Sequence, residues 1–109
     1  VPDEQQFRAV SDEALTRLQR ALERAADDHE FDVDNNQGAL TIEFEDPPAK
    51  FVVSPNAPVR QIWISARVKS FKLDWDEAQS AFVLAADGRT LLRLMADLIG
   101  EQIGEPVSL

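Results

Sequence analysis

The residues of this chain that can do chemistry are carboxylates. Between positions 27 and 46 stand Asp27, Asp28, Glu30, Asp32, Asp34, Glu43, Glu45 and Asp46, eight acids with no base among them. Carboxylate oxygens are hard ligands, suited to hard cations such as ferric iron, calcium or manganese. Without a preformed cage of roughly six or more oxygens, such binding is weak and unselective. Other chemistries lack their parts. There is no cysteine, hence no disulfide, thiolate nucleophile or thiolate metal site, which fits a reducing compartment. The only histidine, His29, sits among acids in an expected loop and reads as a surface residue without a role. No glycine-flanked serine elbow is present. Four scattered glycines do not cradle a phosphate.

Charge is unevenly placed. Residues 1–46 hold 13 acids and 4 bases, whereas residues 47–109 hold 7 of each, so the whole net charge of −9 belongs to the first part. Such a surface repels nucleic acid and anionic membranes and attracts cations and basic protein patches. No apolar stretch is long enough to span a bilayer, and no signal peptide opens the chain. The length, 109 residues, and a hydrophobic fraction of 44% suit one domain, 1–109, with its own core.

The elements that must position the acids follow from periodicity. Asp3 can cap a helix, with Gln6 completing a near relative of the capping box. Phe7, Val10, Ala14, Leu18, Ala21, Leu22 and Ala25, widened by Leu15, form one apolar stripe, which predicts a helix over 4–27. Asp12, Thr16, Glu23 and Asp27 fall in one strip of its outer face, beside Arg17, Arg20 and Arg24. Alternation then predicts strands over 31–34, 40–45, 50–53, 60–66, 71–75 and 81–84, with turn chemistry at Asn35-Asn36-Gln37-Gly38. The prolines of Ser54-Pro55-Asn56-Ala57-Pro58 argue for a loop. Leu91, Leu94, Met95, Leu98 and Ile99 predict a second helix over 90–102, its end weakened by Gly100. Helix, six strands with short links, helix: this is an α+β chain, an antiparallel sheet of about six strands with both helices on one face, in two layers.

One strand also carries an exposed candidate. In Gln61-Ile62-Trp63-Ile64-Ser65 the period of two puts Ile62 and Ile64 on the core side and Gln61, Trp63 and Ser65 outside. Trp63 either covers a patch of its own sheet or anchors a partner, since tryptophan is enriched at binding hot spots.

Four short motifs, in order along the chain, resemble the frataxin family. They are Gly38-Ala39-Leu40-Thr41-Ile42, the Pro58-to-Trp63 segment with Gln61-Ile62-Trp63, Asp74-Trp75, and Asp87-Gly88-Arg89-Thr90-Leu91. The resemblance implies the frataxin-like sandwich of two helices on an antiparallel sheet. It implies an iron-binding protein of iron–sulfur cluster assembly, acting as an iron chaperone or as a regulator of the cysteine desulfurase and its scaffold protein. Iron, as Fe2+ or Fe3+, would be weakly bound, with no organic cofactor. The implied metal residues are Asp12, Glu13, Glu23, Asp27, Asp28, Glu30, Asp32 and Asp34. The implied partner surface is Trp63, Gln61 and Asn56. The length and the lack of a targeting extension resemble a bacterial, cytoplasmic member; the mitochondrial matrix is the alternative if a targeting segment has been removed. A monomer is expected, with iron-dependent oligomerisation as the variant.

This chain departs from the family pattern at Arg8, Thr16, Arg20 and Arg24, where relatives often carry acids, and at Phe82, where many carry a second tryptophan. Its ridge is thinner in charge, which predicts lower iron capacity. A competing expectation is an acidic interaction module that docks on a basic protein, with iron incidental. An enzyme such as a ferroxidase would need an ordered pair of metal-binding carboxylates, and the helix shows no Glu-x-x-His pair of the di-iron kind. A non-enzymatic role is therefore expected.

Overall fold

Asp3 starts the first helix as its sequence predicts: its carboxylate accepts from the Gln6 amide at 2.8 Å. The computed structural model describes residues 2–45 and 47–109; Asp46, counted above among the acids, lies outside them. Helix α1 runs Glu4–Ala26 and ends on Asp27 as its C-cap. Its buried stripe is Phe7, Ser11, Leu15, Leu18, Ala21, Leu22 and Ala25, with Val10 and Ala14 only half-buried. The expected stripe is thus rotated slightly, and a serine lies within it. Ser11 is tolerated there because its hydroxyl donates to the Arg8 carbonyl at 3.2 Å, the local bond by which a hydroxyl satisfies itself in a helix.

Six strands follow: β1 Asp32–Asn36, β2 Ala39–Glu45, β3 Pro48–Asn56, β4 Gln61–Ala66, β5 Lys69–Asp76 and β6 Ala81–Leu84. They form one antiparallel sheet in sequence order, each paired with the next. Helix α2, Leu91–Ile103, closes the fold, capped by the Thr90 hydroxyl and by Gly104 in the left-handed region. Leu40, Ile42, Phe44, Phe51, Val53, Ile62, Ile64, Leu73 and Phe82 are buried and share one core with Phe7, Leu18 and Leu22 of α1 and Leu94, Met95 and Ile99 of α2. Both helices therefore cover one face of the sheet. The other face is open, and Trp63, 36% exposed, stands on it.

The structure corrects the sequence reading at two turns. Pro55 lies within β3, not in a loop, paired with Ile62. Pairing of β2 with β3 ends at Val53. Residues 54–56 are therefore flanked by β4 alone, the edge setting in which a missing N–H is tolerated. Only Ala57–Val59 leaves the strand, as a single 3-10 turn. Asn35 and Asn36 belong to β1. The turn proper is Gln37-Gly38, both at positive φ, and Asn35 Oδ1 braces it by accepting from the Gly38 amide at 3.2 Å. Gly100 lies inside α2, which runs on to Ile103. A Cβ there would meet the Glu105 carbonyl oxygen at 3.1 Å, so the glycine lets the segment after α2 fold back against it.

Candidate functional site

All eight carboxylates expected to bind metal are exposed, but the fold separates them. Asp12 and Glu13 lie about 16 Å along α1 from Glu23, at 1.5 Å rise per residue. Glu13 is also engaged by Arg17, with Nη2 to Oε1 at 2.7 Å, the favourable i,i+4 order. Glu23, Asp27, Asp28, Glu30, Asp32 and Asp34 instead gather where α1 ends and β1 begins. Among the described residues, no three of His, Cys, Asp and Glu converge into a group that could hold a metal ion. The donor set suits a hard cation by chemistry, as open carboxylates without a cage.

Two groups outside the expected metal set join this corner. Glu43 of β2 stands directly opposite Asp32 on the outer face of the sheet, with Asp34 as its diagonal neighbour. Opposed residues of an antiparallel pair bring their Cβ atoms within about 5 Å, and like charges there repel. The alternation of β2 shows that Glu43 faces water, but only the register shows what it faces. The second group is Glu105, whose carboxylate lies 2.5 Å from His29 Nδ1. His29 is thus not an idle surface residue. Its ring is largely covered, with 18% of the side chain exposed, and it ties the loop after α1 to the segment after α2. The partners are 76 residues apart, beyond any local pattern. A further tie, Asn35 Nδ2 to Gln19 Oε1 at 2.9 Å, holds β1 to α1.

The corner is electrostatically loaded. Asp27 and Asp28 sit at the negative end of the α1 dipole, where acids are unfavourable, and Arg24 in the last turn offsets only part of this. Asp32 and Glu43 add cross-strand repulsion. A cation or a basic partner surface relieves both.

The second site is the open sheet face. Asn56 pairs with Gln61 across the β3–β4 ladder. Trp63 Nε1 donates to Gln61 Oε1 at 2.9 Å, and Gln61 Nε2 donates to Asp74 Oδ1 at 3.0 Å. Lys72, opposite Trp63 on β5, holds its Nζ 4.8 Å from the indole centroid, a cation–π distance. The three expected residues are therefore brought together, and Lys72 and Asp74 complete the group. The indole is held by a hydrogen bond at its Nε1 and a cation over its ring, so it is pre-organised, with little rotamer freedom left to lose on contact. Alternation in Phe71-Lys72-Leu73-Asp74 puts these two outside, but only the strand order places them beside Trp63.

Residues 2–105 match the protein-family model described as Frataxin-like domain. The iron-sulfur cluster assembly protein CyaY of Azotobacter vinelandii is 37% identical over 95 residues, 85% of this chain and 86% of that protein. The protein of the same name from Dechloromonas aromatica is 32% identical, covering 98% of each chain. Among solved structures, frataxin from Psychromonas ingrahamii superposes with a TM-score of 0.84 at 20% identity, covering 98% of this chain and 97% of that one. A trimeric frataxin from the yeast Saccharomyces cerevisiae superposes at 0.73 with 21% identity, covering 88% and 80%. At such identities the two structures speak to the fold alone.

Proposed function

This chain belongs to the frataxin-like family, and from that premise we propose that it serves in iron–sulfur cluster assembly as a non-enzymatic protein that carries iron weakly and regulates the cysteine desulfurase with its scaffold. Its relatives of known name belong to cluster assembly, which supports partners in that pathway. The observation that carries the finer reading is the α1–β1 corner, where Glu23, Asp27, Asp28, Glu30, Asp32 and Asp34 gather with Glu43 and no fixed cage. Iron is the cargo here. Open carboxylates accept a hard cation alongside its waters and release it again, which suits delivery and not storage. The same corner attracts a basic protein patch at long range. Trp63, Gln61 and Asn56 then supply short-range contact on the open face.

A second reading has its own support. Glu13 is occupied by Arg17, and the carboxylates do not converge in threes among the described residues. Both facts suit a protein-docking surface on which iron is incidental. One experiment separates the two. Desulfurase turnover and cluster formation are measured with and without the protein, each with free iron and with iron chelated. Under the proposal the protein changes both rates, and chelation weakens its effect on cluster formation. An effect on turnover unchanged by chelation, together with a pull-down that ignores iron, favours the docking module. No effect on either rate removes both.

A further inference from the structure

The acids and Trp63 leave unexplained a corner of this acidic chain that carries positive charge. All three lysines, Lys50, Lys69 and Lys72, lie on β3 and β5. Strands β4 and β5 are joined by the two-residue tip Arg67-Val68, since Ala66 pairs with Lys69. Phe51 pairs with Ala66, so Lys50 occupies the position beside Arg67. Arg67 and Lys69 have no ion-pair partner among the described residues, whereas Arg8, Arg17, Arg89 and Arg93 do. Between them Val68 is 99% exposed, the most exposed large apolar residue among the described residues.

Beneath this tip lies a cleft of about 210 Å³, formed with the last turns of α2. Phe51, Ala66 and Leu98 make it apolar, Arg67 and Lys69 stand at its rim, and Glu101 and Gln102 line the α2 side. Gln102 is 4% exposed. Its Nε2 donates to the Pro47 carbonyl at 2.9 Å, while its Oε1 is buried without a donor among the described residues. Buried acceptors are normally satisfied, and one left alone carries a desolvation cost.

We infer that this corner is a docking site for a short acidic peptide segment of a partner protein, one apolar side chain entering the cleft with carboxylates on either side of it. The volume decides the size of the guest. Sites for drug-sized ligands run to about 300–1,000 Å³, so this cleft takes a single side chain and not a cofactor. The rim decides the sign: Arg67 and Lys69 outnumber Glu101 and select carboxylates. The orphan Oε1 of Gln102 calls for a donor, which a peptide N–H supplies once the guest parts the cleft. Val68 adds apolar contact at the tip. A polyanion such as nucleic acid fits worse, because the cleft is sized for one apolar side chain. The surface is opposite in sign to the α1–β1 corner and independent of the iron reading.

The test is an NMR titration of the full chain with an acetylated, amidated pentapeptide, a leucine between two pairs of aspartates. Saturable shifts are expected at 50–51, 66–69 and 98–102. A peptide with serine in place of leucine is expected to bind about tenfold more weakly. Arg67→Glu with Lys69→Glu, both at exposed positions, should abolish the shifts while the spectrum stays dispersed; if that variant unfolds, Val68→Ser, which keeps the charges, should weaken binding severalfold. Shifts centred on Trp63, equal binding of the serine peptide, tighter binding of an oligothymidylate of equal charge, or no saturation each overturns the proposal. None of these outcomes involves iron or desulfurase, so failure here leaves the cluster-assembly reading untouched, and failure of that reading leaves this one.

Discussion

Asp32 and Glu43 face each other across the β1–β2 ladder, both exposed on the outer face of the sheet. Lys50 stands on the far side of Glu43, but Asp32 is on the outermost strand and has Glu43 as its only cross-strand neighbour. Asp32→Asn should therefore remove a repulsion without removing an attraction. The metal-free domain is expected to gain a few tenths of a kcal/mol, within the roughly 0.2–1 kcal/mol that cross-strand pairs contribute. The rise in melting temperature on adding Fe2+ should shrink. Paramagnetic broadening in the parent protein should centre on 27–34 and reach Glu43. Broadening centred on 74–77 would count against the corner as the iron site.

The core makes a sharper demand. Ile64 is 1% exposed beneath the helices, in the phase that puts Trp63 outside. Ile64→Ala should cost about 2–5 kcal/mol in denaturant unfolding, the range for a large-to-alanine change in a packed core. A loss under about 1 kcal/mol would mean that the strand does not sit in this register.

Much of this was legible in the sequence, and the reason is periodicity. The alternation of Gln61 to Ala66 fixes which face each side chain takes, and strand phase survives because one slip would turn Ile62 and Ile64 out to water. The cap at Asp3 is likewise local, its donor and acceptor residues three positions apart. What failed was of two kinds. Pro55 reads as a strand breaker because proline is excluded from strand interiors, and only the register shows its stretch to be an edge. His29 with Glu105, Asp32 with Glu43, and Trp63 with Lys72 are pairings of residues distant in the chain, and no local pattern carries them. The eight metal candidates illustrate both sides. Their exposure was readable, but their division into Asp12 and Glu13 against the α1–β1 corner needed the end of the helix and the start of the strand.

The turn from β6 into α2 gives a prediction for acid. Asp87 accepts from the Arg89 backbone N–H at 3.0 Å and from its guanidinium, which also reaches Asp97 at 3.2 Å. The backbone N–H, followed by the guanidinium, holds the Asp87 carboxyl below its ordinary value of 3.8. A depressed folded-state pKa means that the unfolded chain binds the proton more readily. The contribution is therefore complete above the ordinary value and is lost as pH falls through the folded one. Asp87→Asn should flatten the stability profile below about pH 4 and leave the pH-dependent slope near neutrality unchanged. Equal slopes below pH 4 in both proteins would show that this exposed turn carries no acid sensitivity.

The final prediction separates the two parts of the proposed desulfurase contact. The α1–β1 acids act at a distance, and exposed charges are screened over about 8–10 Å at physiological ionic strength. Replacing Asp27, Asp32 and Asp34 together with Asn should slow association, chiefly at low salt, without unfolding the domain. Trp63 acts only on contact. Its indole is held by Gln61 and Lys72 before any partner arrives, so its burial in a complex forfeits little freedom. Trp63→Ala should raise the dissociation rate by a factor corresponding to about 2 kcal/mol or more, the threshold of a hot spot, with little dependence on salt. Lys72→Ala should fall between, since it loosens the ring without removing it. Surface plasmon resonance on immobilised desulfurase at two salt concentrations resolves both rates. If Trp63→Ala leaves dissociation unchanged while the domain stays folded, the indole merely covers Ser54 and Lys72 on its own sheet, and the contact with the desulfurase rests on charge alone.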